Sequence, residues 1–215
     1  SAQLGSTRLF NENYFAFIAA LDDLARRQVK FVVLPGDFSD DGQPIHIRGL
    51  KQILQQYSKA HGLKFLLTLG NHDPVRPYAH AAGKPDYLGP DGRPLAIFSP
   101  GSEPCNKSGQ DVVCTEEVKE LGYRELMTEL SDFGFYPKTS DLYWETPYSS
   151  YTSSNYNYAE ALVQSDLSKR QFEICQQGAG GTYKKPDYSN CHVIPEASYL
   201  VEPVEGVWLL AIDAN

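Results

Sequence analysis

Several things are scarce in this 215-residue chain, and each scarcity narrows what it can be. Basic residues are outnumbered: 19 Lys and Arg stand against 27 Asp and Glu, for a formal net charge of −8. Broad nucleic-acid and anionic-membrane footprints are built from clustered Lys and Arg, so this balance argues against both. Long apolar runs are missing. Phe15 to Leu21 (FAFIAAL) and Val207 to Ile212 (VWLLAI) fall far short of the ~18 residues a membrane helix needs. The four cysteines have no CxxC spacing, which argues against a structural zinc site or a redox motif. Internal repeats, low-complexity tracts and a clean inter-domain linker are also lacking. With 41% hydrophobic and 21% charged residues, what remains is an ordinary globular composition. At ~150 residues per domain, the length predicts one large domain or a tight pair.

The cysteines fall into two local pairs, Cys105 with Cys114 and Cys175 with Cys191, each within a loop-rich stretch. Short-loop disulfides would anchor backbone that lacks helix or sheet support. That reading points to an oxidising compartment, periplasmic or secreted.

Tyr14, Phe15, Phe17, Ile18, Leu21, Leu24 and Ala25 recur at helical spacing, predicting an amphipathic helix over about 11–28. Lys30 to Pro35 (KFVVLP) reads as a buried strand ended by Pro-Gly. Ile47, Leu50, Ile53, Leu54 and Tyr57 mark a second helix closed by Gly62, and Lys64 to Leu69 (KFLLTL) a second buried strand. This αβαβ order implies a parallel sheet. Residues 74–114, rich in Pro, Gly and Asp, read as a long irregular excursion. A third helix is expected from a Thr115 cap through Val118, Leu121, Leu126 and Leu130 to Gly134. Five tyrosines between Leu142 and Tyr158 suggest half-buried strands more than a binding surface. Ala197 to Glu202 and Val207 to Ile212 form a predicted hairpin.

Two short motifs follow the two buried strands directly. One is Gly36-Asp37, continuing Phe38-Ser39-Asp40-Asp41-Gly42; the other is Gly70-Asn71-His72-Asp73. In an open α/β sheet, ligands sit at the carboxyl ends of strands. Each Gly permits a sharp turn that projects the next side chain from the sheet top. Asp can bridge cations, the Asn carbonyl is a hard neutral ligand, and His can donate a proton near neutral pH. Two cations ~3.5–4 Å apart clamp the oxygens of an in-line displacement at phosphorus. Ser39-Asp40-Asp41-Gly42 reads as turn and cap chemistry rather than as ligands.

These motifs resemble the calcineurin-like metallophosphoesterase superfamily over residues 30–73. The Ala197 to Asn215 segment, ending WLLAIDAN, is similar to a strand pair in extracytoplasmic members. The resemblance implies a four-layer αββα sandwich within the α/β (α+β) class, with two divalent metal ions drawn from Mn, Fe or Zn. Asp37 would be the bridging ligand and Asn71 a ligand of the second metal. His72 would contact the phosphoryl oxygen or protonate the leaving group, and Asp73 would orient His72 from behind. His80, just beyond the motif, is a possible substrate contact. The family's opening Asp-x-His and closing Gly-His-x-His have no match between Ser1 and Asn215, so the remaining ligands are expected in flanking sequence.

The expected organisation is a core over 1–73, an inserted cap over 74–196 that selects a phosphorylated small-molecule or lipid substrate, and a core hairpin over 197–215. The expected activity is hydrolysis of phosphate mono- or diesters by a metal-activated hydroxide. The alternative is a non-catalytic binding protein on the same scaffold.

Overall fold

Phe10–Arg26 forms helix α1, Phe31–Leu34 strand β1, Pro44–His61 helix α2 and Lys64–Leu67 strand β2, the αβαβ order expected. The structure is a computed structural model and describes residues 10–107, 111–176 and 190–214. Pro44 sits in the first turn of α2, where its missing N–H costs nothing. Ile47, Leu50, Leu54 and Tyr57 turn a single face inward. The helix closes at Gly62 in the left-handed conformation, φ 70°, whose N–H bonds Ser58 O. Lys64 N–H donates to Lys30 O and Thr68 N–H to Leu34 O, an equal advance on both strands. β1 and β2 therefore run parallel as a two-stranded sheet.

The chain divides into two compact units. The first comprises Ser1–Val32, Gln43–Lys64 and His80–Glu120; the second comprises Val33–Gly42, Phe65–Ala79 and Leu121–Asn215. In the first unit, Tyr57 Oη donates to Asp22 Oδ1 at 2.5 Å, joining α2 to α1. The excursion read as irregular contains a small sheet here: β3 (Gly83–Leu88), β4 (Pro94–Phe98) and β5 (Val113–Cys114). β3 and β4 are antiparallel, and β5 adds parallel to β4. Their Gly and Pro residues, and side chains that are only partly buried, erase the apolar alternation that would mark a strand. A disulfide joins Cys105, in the short helix α3 (Glu103–Asn106), to Cys114 on β5, as the cysteine spacing suggests.

In the second unit the expected helix from Thr115 to Gly134 is broken. Thr115 caps only a 3-10 turn, Glu116–Val118, which belongs to the first unit. The chain restarts at Gly122, which caps α4 (Tyr123–Glu129), and ends in a second 3-10 turn before Gly134 at φ 109°. The interruption has a steric cause. A Cβ at Gly122 would lie 2.5 Å from the Tyr78 Cα, so glycine is required and the backbone passes there extended.

β6 (Tyr143–Glu145), β9 (Tyr199–Val204) and β10 (Val207–Ala211) make an antiparallel sheet in the order β10-β9-β6. The β9–β10 hairpin is the expected one, turning at Glu205-Gly206. Trp144, Tyr199, Phe135, Leu126 and Met127 fill the interior beneath it. Tyr143 and Tyr151 are buried against Ala161 of α5 (Tyr158–Gln164), so this part of the tyrosine-rich stretch is core. β7 (Gln171–Gln176) and β8 (Asn190–Pro195) form a second hairpin that sets Cys175 opposite Cys191 in the backbone register. The Cys175 side chain, and so the second expected disulfide, lies outside the described residues. The mixed α/β class matches the sequence expectation, and no described helix is long and apolar enough to cross a membrane.

Tyr199 ties the sheet to the strand that leads into the site: its hydroxyl donates to Leu67 O at 2.8 Å, both residues being fully buried. Tyr199→Phe leaves that carbonyl unsatisfied and should cost about 1–3 kcal/mol. Urea denaturation reads the loss directly; an unchanged midpoint would contradict this role.

Candidate functional site

The two motif loops leave β1 and β2 side by side in the second unit. They touch backbone to backbone. A Cβ on Gly36 would lie 2.7 Å from Gly70 Cα, and a Cβ on Gly70 would lie 2.3 Å from the Asp37 amide and carboxylate. Glycine is therefore a packing requirement in both loops, and Gly36 also has φ 97°. Asp37 follows at φ 52° and Asp41 at φ 68°, left-handed conformations that a non-glycine residue adopts only at a cost. Such outliers concentrate where side chains must be aimed.

Asp73 supplies the constraint. Its side chain is completely buried and collects bonds from both loops. Oδ2 accepts from the Gly70 amide at 3.0 Å and the Asp37 amide at 3.2 Å. Oδ1 accepts from the Ser39 amide at 2.9 Å and the Ser39 hydroxyl at 3.1 Å. Ser39 Oγ in turn accepts the Gly42 amide, extending the clasp through the turn. Burial pushes the Asp73 carboxyl above its ordinary range; the donors on Gly70 and Ser39 pull against that, because they favour the charged form.

This places Asp37 against the second motif, where its Oδ1 accepts the His72 amide at 3.0 Å. The His72 ring faces the turn after the first motif. Its Nδ1 lies 3.8 Å from Asp41 Oδ1 and 4.0 Å from Asp40 Oδ1, and all three side chains are partly buried. The ligand atoms of Asp40, Asp41 and His72 fall within 4.8 Å of one another. Two carboxylates and an imidazole make a donor set that suits a divalent cation such as Mn, Fe or Zn. Asn71 is exposed in the turn of the second loop, next to His72 in the chain.

Of the residues singled out from sequence, Asp37, Asn71, His72 and Asp73 thus lie on adjoining loops of one unit. His80 belongs to the first unit. There its Nε2 is 2.7 Å from Glu120 Oε2, and the two backbones exchange hydrogen bonds as an isolated bridge. Asp40 and Asp41 do form the bend and turn read from Ser-Asp-Asp-Gly, and that same turn carries their carboxylates to His72. Their position three and four residues beyond Asp37 was the available signal. Ser39 was missed, because its part depends on a partner 34 residues away.

Comparison with protein families matches residues 10–173 to the model described as calcineurin-like phosphoesterase. The search of curated proteins finds no match.

Asp73→Asn keeps the size of the clasp but replaces one acceptor oxygen with an amide NH2 that would face N–H donors. It should destabilise the protein by about 2–4 kcal/mol, as expected for bonds lost from a buried carboxylate. Equal stability of Asp73→Asn and wild type in equilibrium unfolding would contradict the clasp.

Proposed function

The chain belongs to the calcineurin-like phosphoesterase family, and from that premise we propose that it is a metal-dependent hydrolase of phosphate mono- or diesters. The observation that carries the reading is the clasp of the two motif loops by Asp73, which brings the Asp37 carboxylate against the amide of His72. In this reading Asp37 and Asn71 hold a pair of divalent ions, with the carboxylates of Asp40 and Asp41 beside them. When bound, such ions lower the pKa of a water and neutralise charge on the phosphoryl oxygens.

The chain's own residues then divide the remaining work. His72, on the second loop, faces the acidic turn, and there it bonds the phosphoryl group or delivers a proton to the leaving-group oxygen. Asp73 takes no part in proton transfer. It fixes the backbone from which Asp37 and His72 project, so that both are aimed before substrate arrives.

The Cys105–Cys114 disulfide supports a periplasmic or secreted location, since such bonds persist in oxidising compartments. A phosphorylated small molecule or lipid is the substrate class in keeping with the family.

Full-length chain loaded with Mn2+ or Zn2+ should hydrolyse p-nitrophenyl phosphate or bis(p-nitrophenyl) phosphate. Dialysis against a chelator should remove that activity, and metal should restore it. Asp37→Asn should lower kcat about a hundredfold or more, the scale of losing several kcal/mol of transition-state stabilisation. Turnover that survives either treatment, or protein that neither retains metal nor hydrolyses either ester, overturns the proposal.

A further inference from the structure

We propose that Arg76 is a substrate-binding residue whose guanidinium grips the phosphoryl oxygens of an anionic phosphoester. This rests on the phosphoesterase reading above and deepens it by naming the group that recognises the anion.

The first argument is an accounting of arginines. Arg26 and Arg27 pair with Asp23, Arg48 with Glu117 and Arg93 with Asp91. Arg170 is buried and donates to the carbonyls of Ser165 and Phe135. Arg124 is exposed, with Asp166 near enough to feel its charge. Arg76 differs from all of these. It is half-buried, and no described residue bonds or ion-pairs with its guanidinium. In a chain with 27 Asp and Glu and a net charge of −8, an arginine with no carboxylate partner among the described residues is out of keeping.

The second argument is position. Arg76 lies four residues beyond His72, so their Cα atoms are at most ~14 Å apart. The segment that carries it is held on both sides. Asp73 anchors the near end through its bonds to the motif loops. At the far end Pro77 O accepts the Tyr123 amide at 3.3 Å, and Gly122 packs directly against the Tyr78 backbone. Pro74 and Pro77 are buried on either side, each with a fixed φ. The backbone beneath Arg76 is thus pre-set, while its side chain has no protein partner among the described residues.

The third argument is charge. Asp37, Asp40, Asp41 and Asp73 give these loops an excess of negative charge that suits cations and repels a phosphoester. Arg76 is the cationic side chain that the same stretch contributes against that repulsion. A guanidinium matches two phosphoryl oxygens bidentately and stays protonated at any ordinary pH, so its contribution is grip rather than proton transfer.

Two measurements on the full chain test this: steady-state hydrolysis of p-nitrophenyl phosphate with inorganic phosphate as competitor, and calorimetric titration with inorganic phosphate alone. Arg76→Ala should raise KM and the phosphate inhibition constant together, about ten- to a hundredfold, with metal content unchanged. Arg76→Lys should recover part of the loss, because the charge returns without the fork. Arg124→Ala, at an exposed arginine of the same unit, should match wild type. If wild type hydrolyses the ester and Arg76→Ala keeps its KM and phosphate affinity, the inference fails while the phosphoesterase reading stands. A loss in Arg124→Ala as large as that in Arg76→Ala also overturns it, since the effect would then be general charge. If wild type hydrolyses nothing, the phosphoesterase reading fails, and the titration decides Arg76 alone. Phosphate binding that Arg76→Ala loses supports the assignment; equal binding, or none, overturns it.

Discussion

A single carboxylate without contact to solvent, Asp73, sets the relation between the two loops on which everything at this site depends. Four donors from three residues converge on its two oxygens. Two of those residues, Asp37 and Ser39, lie in the first motif; the third, Gly70, opens the second. Burying a charge this deeply is unfavourable unless its lone pairs are satisfied, and here backbone amides and a hydroxyl satisfy them. The glycines on either side let the loops close to within backbone contact. Aspartate and glycine are thus two halves of one device: one pulls the strand exits together and the other removes what would keep them apart.

The rest of the second unit braces that device from below. Tyr199 reaches from β9 to the carbonyl of Leu67, the last residue of β2 before the second motif loop. Trp144 of β6 donates its indole N–H to Gly134 O, and Tyr151 donates to Trp144 O in turn. Aromatic rings with a polar handle suit this interior. Each fills a large volume while its single donor meets a backbone carbonyl that would otherwise be left without one. A chain of such contacts carries rigidity from the three-stranded sheet to the loop that presents His72.

Much of this was legible in the sequence, and what was not has identifiable causes. α2 and β2 were readable because each buries an apolar face and is followed by a turn residue, Gly62 being the clearest, whereas α1 and β1 form as elements with Tyr14, Phe15 and Val33 of their expected apolar sets exposed. Gly36-Asp37 and Gly70-Asn71-His72-Asp73 were readable because their chemistry is compressed into a few adjacent residues. The broken helix was not, because Leu121, Leu126 and Leu130 keep a roughly helical spacing across a break that Tyr78 imposes through Gly122. The β3–β4 hairpin escaped for the opposite reason. Its strands stand on ladder bonds and a neighbouring disulfide rather than on apolar alternation. Asp40 and Asp41 were correctly read as a turn, but their proximity to His72 follows from the bond between Ser39 and Asp73, which no local pattern records.

The convergence of donors on Asp73 also bears on how the site opens. The amides of Asp37, Ser39 and Gly70 are tied to the same carboxylate, and the His72 amide is tied to Asp37. A fluctuation that frees one of them strains the others, so in hydrogen-exchange terms these amides behave as one cooperative unit, not as four independently fraying positions. The two loops thus form a single mechanical piece, which either holds its side chains in place together or releases them together.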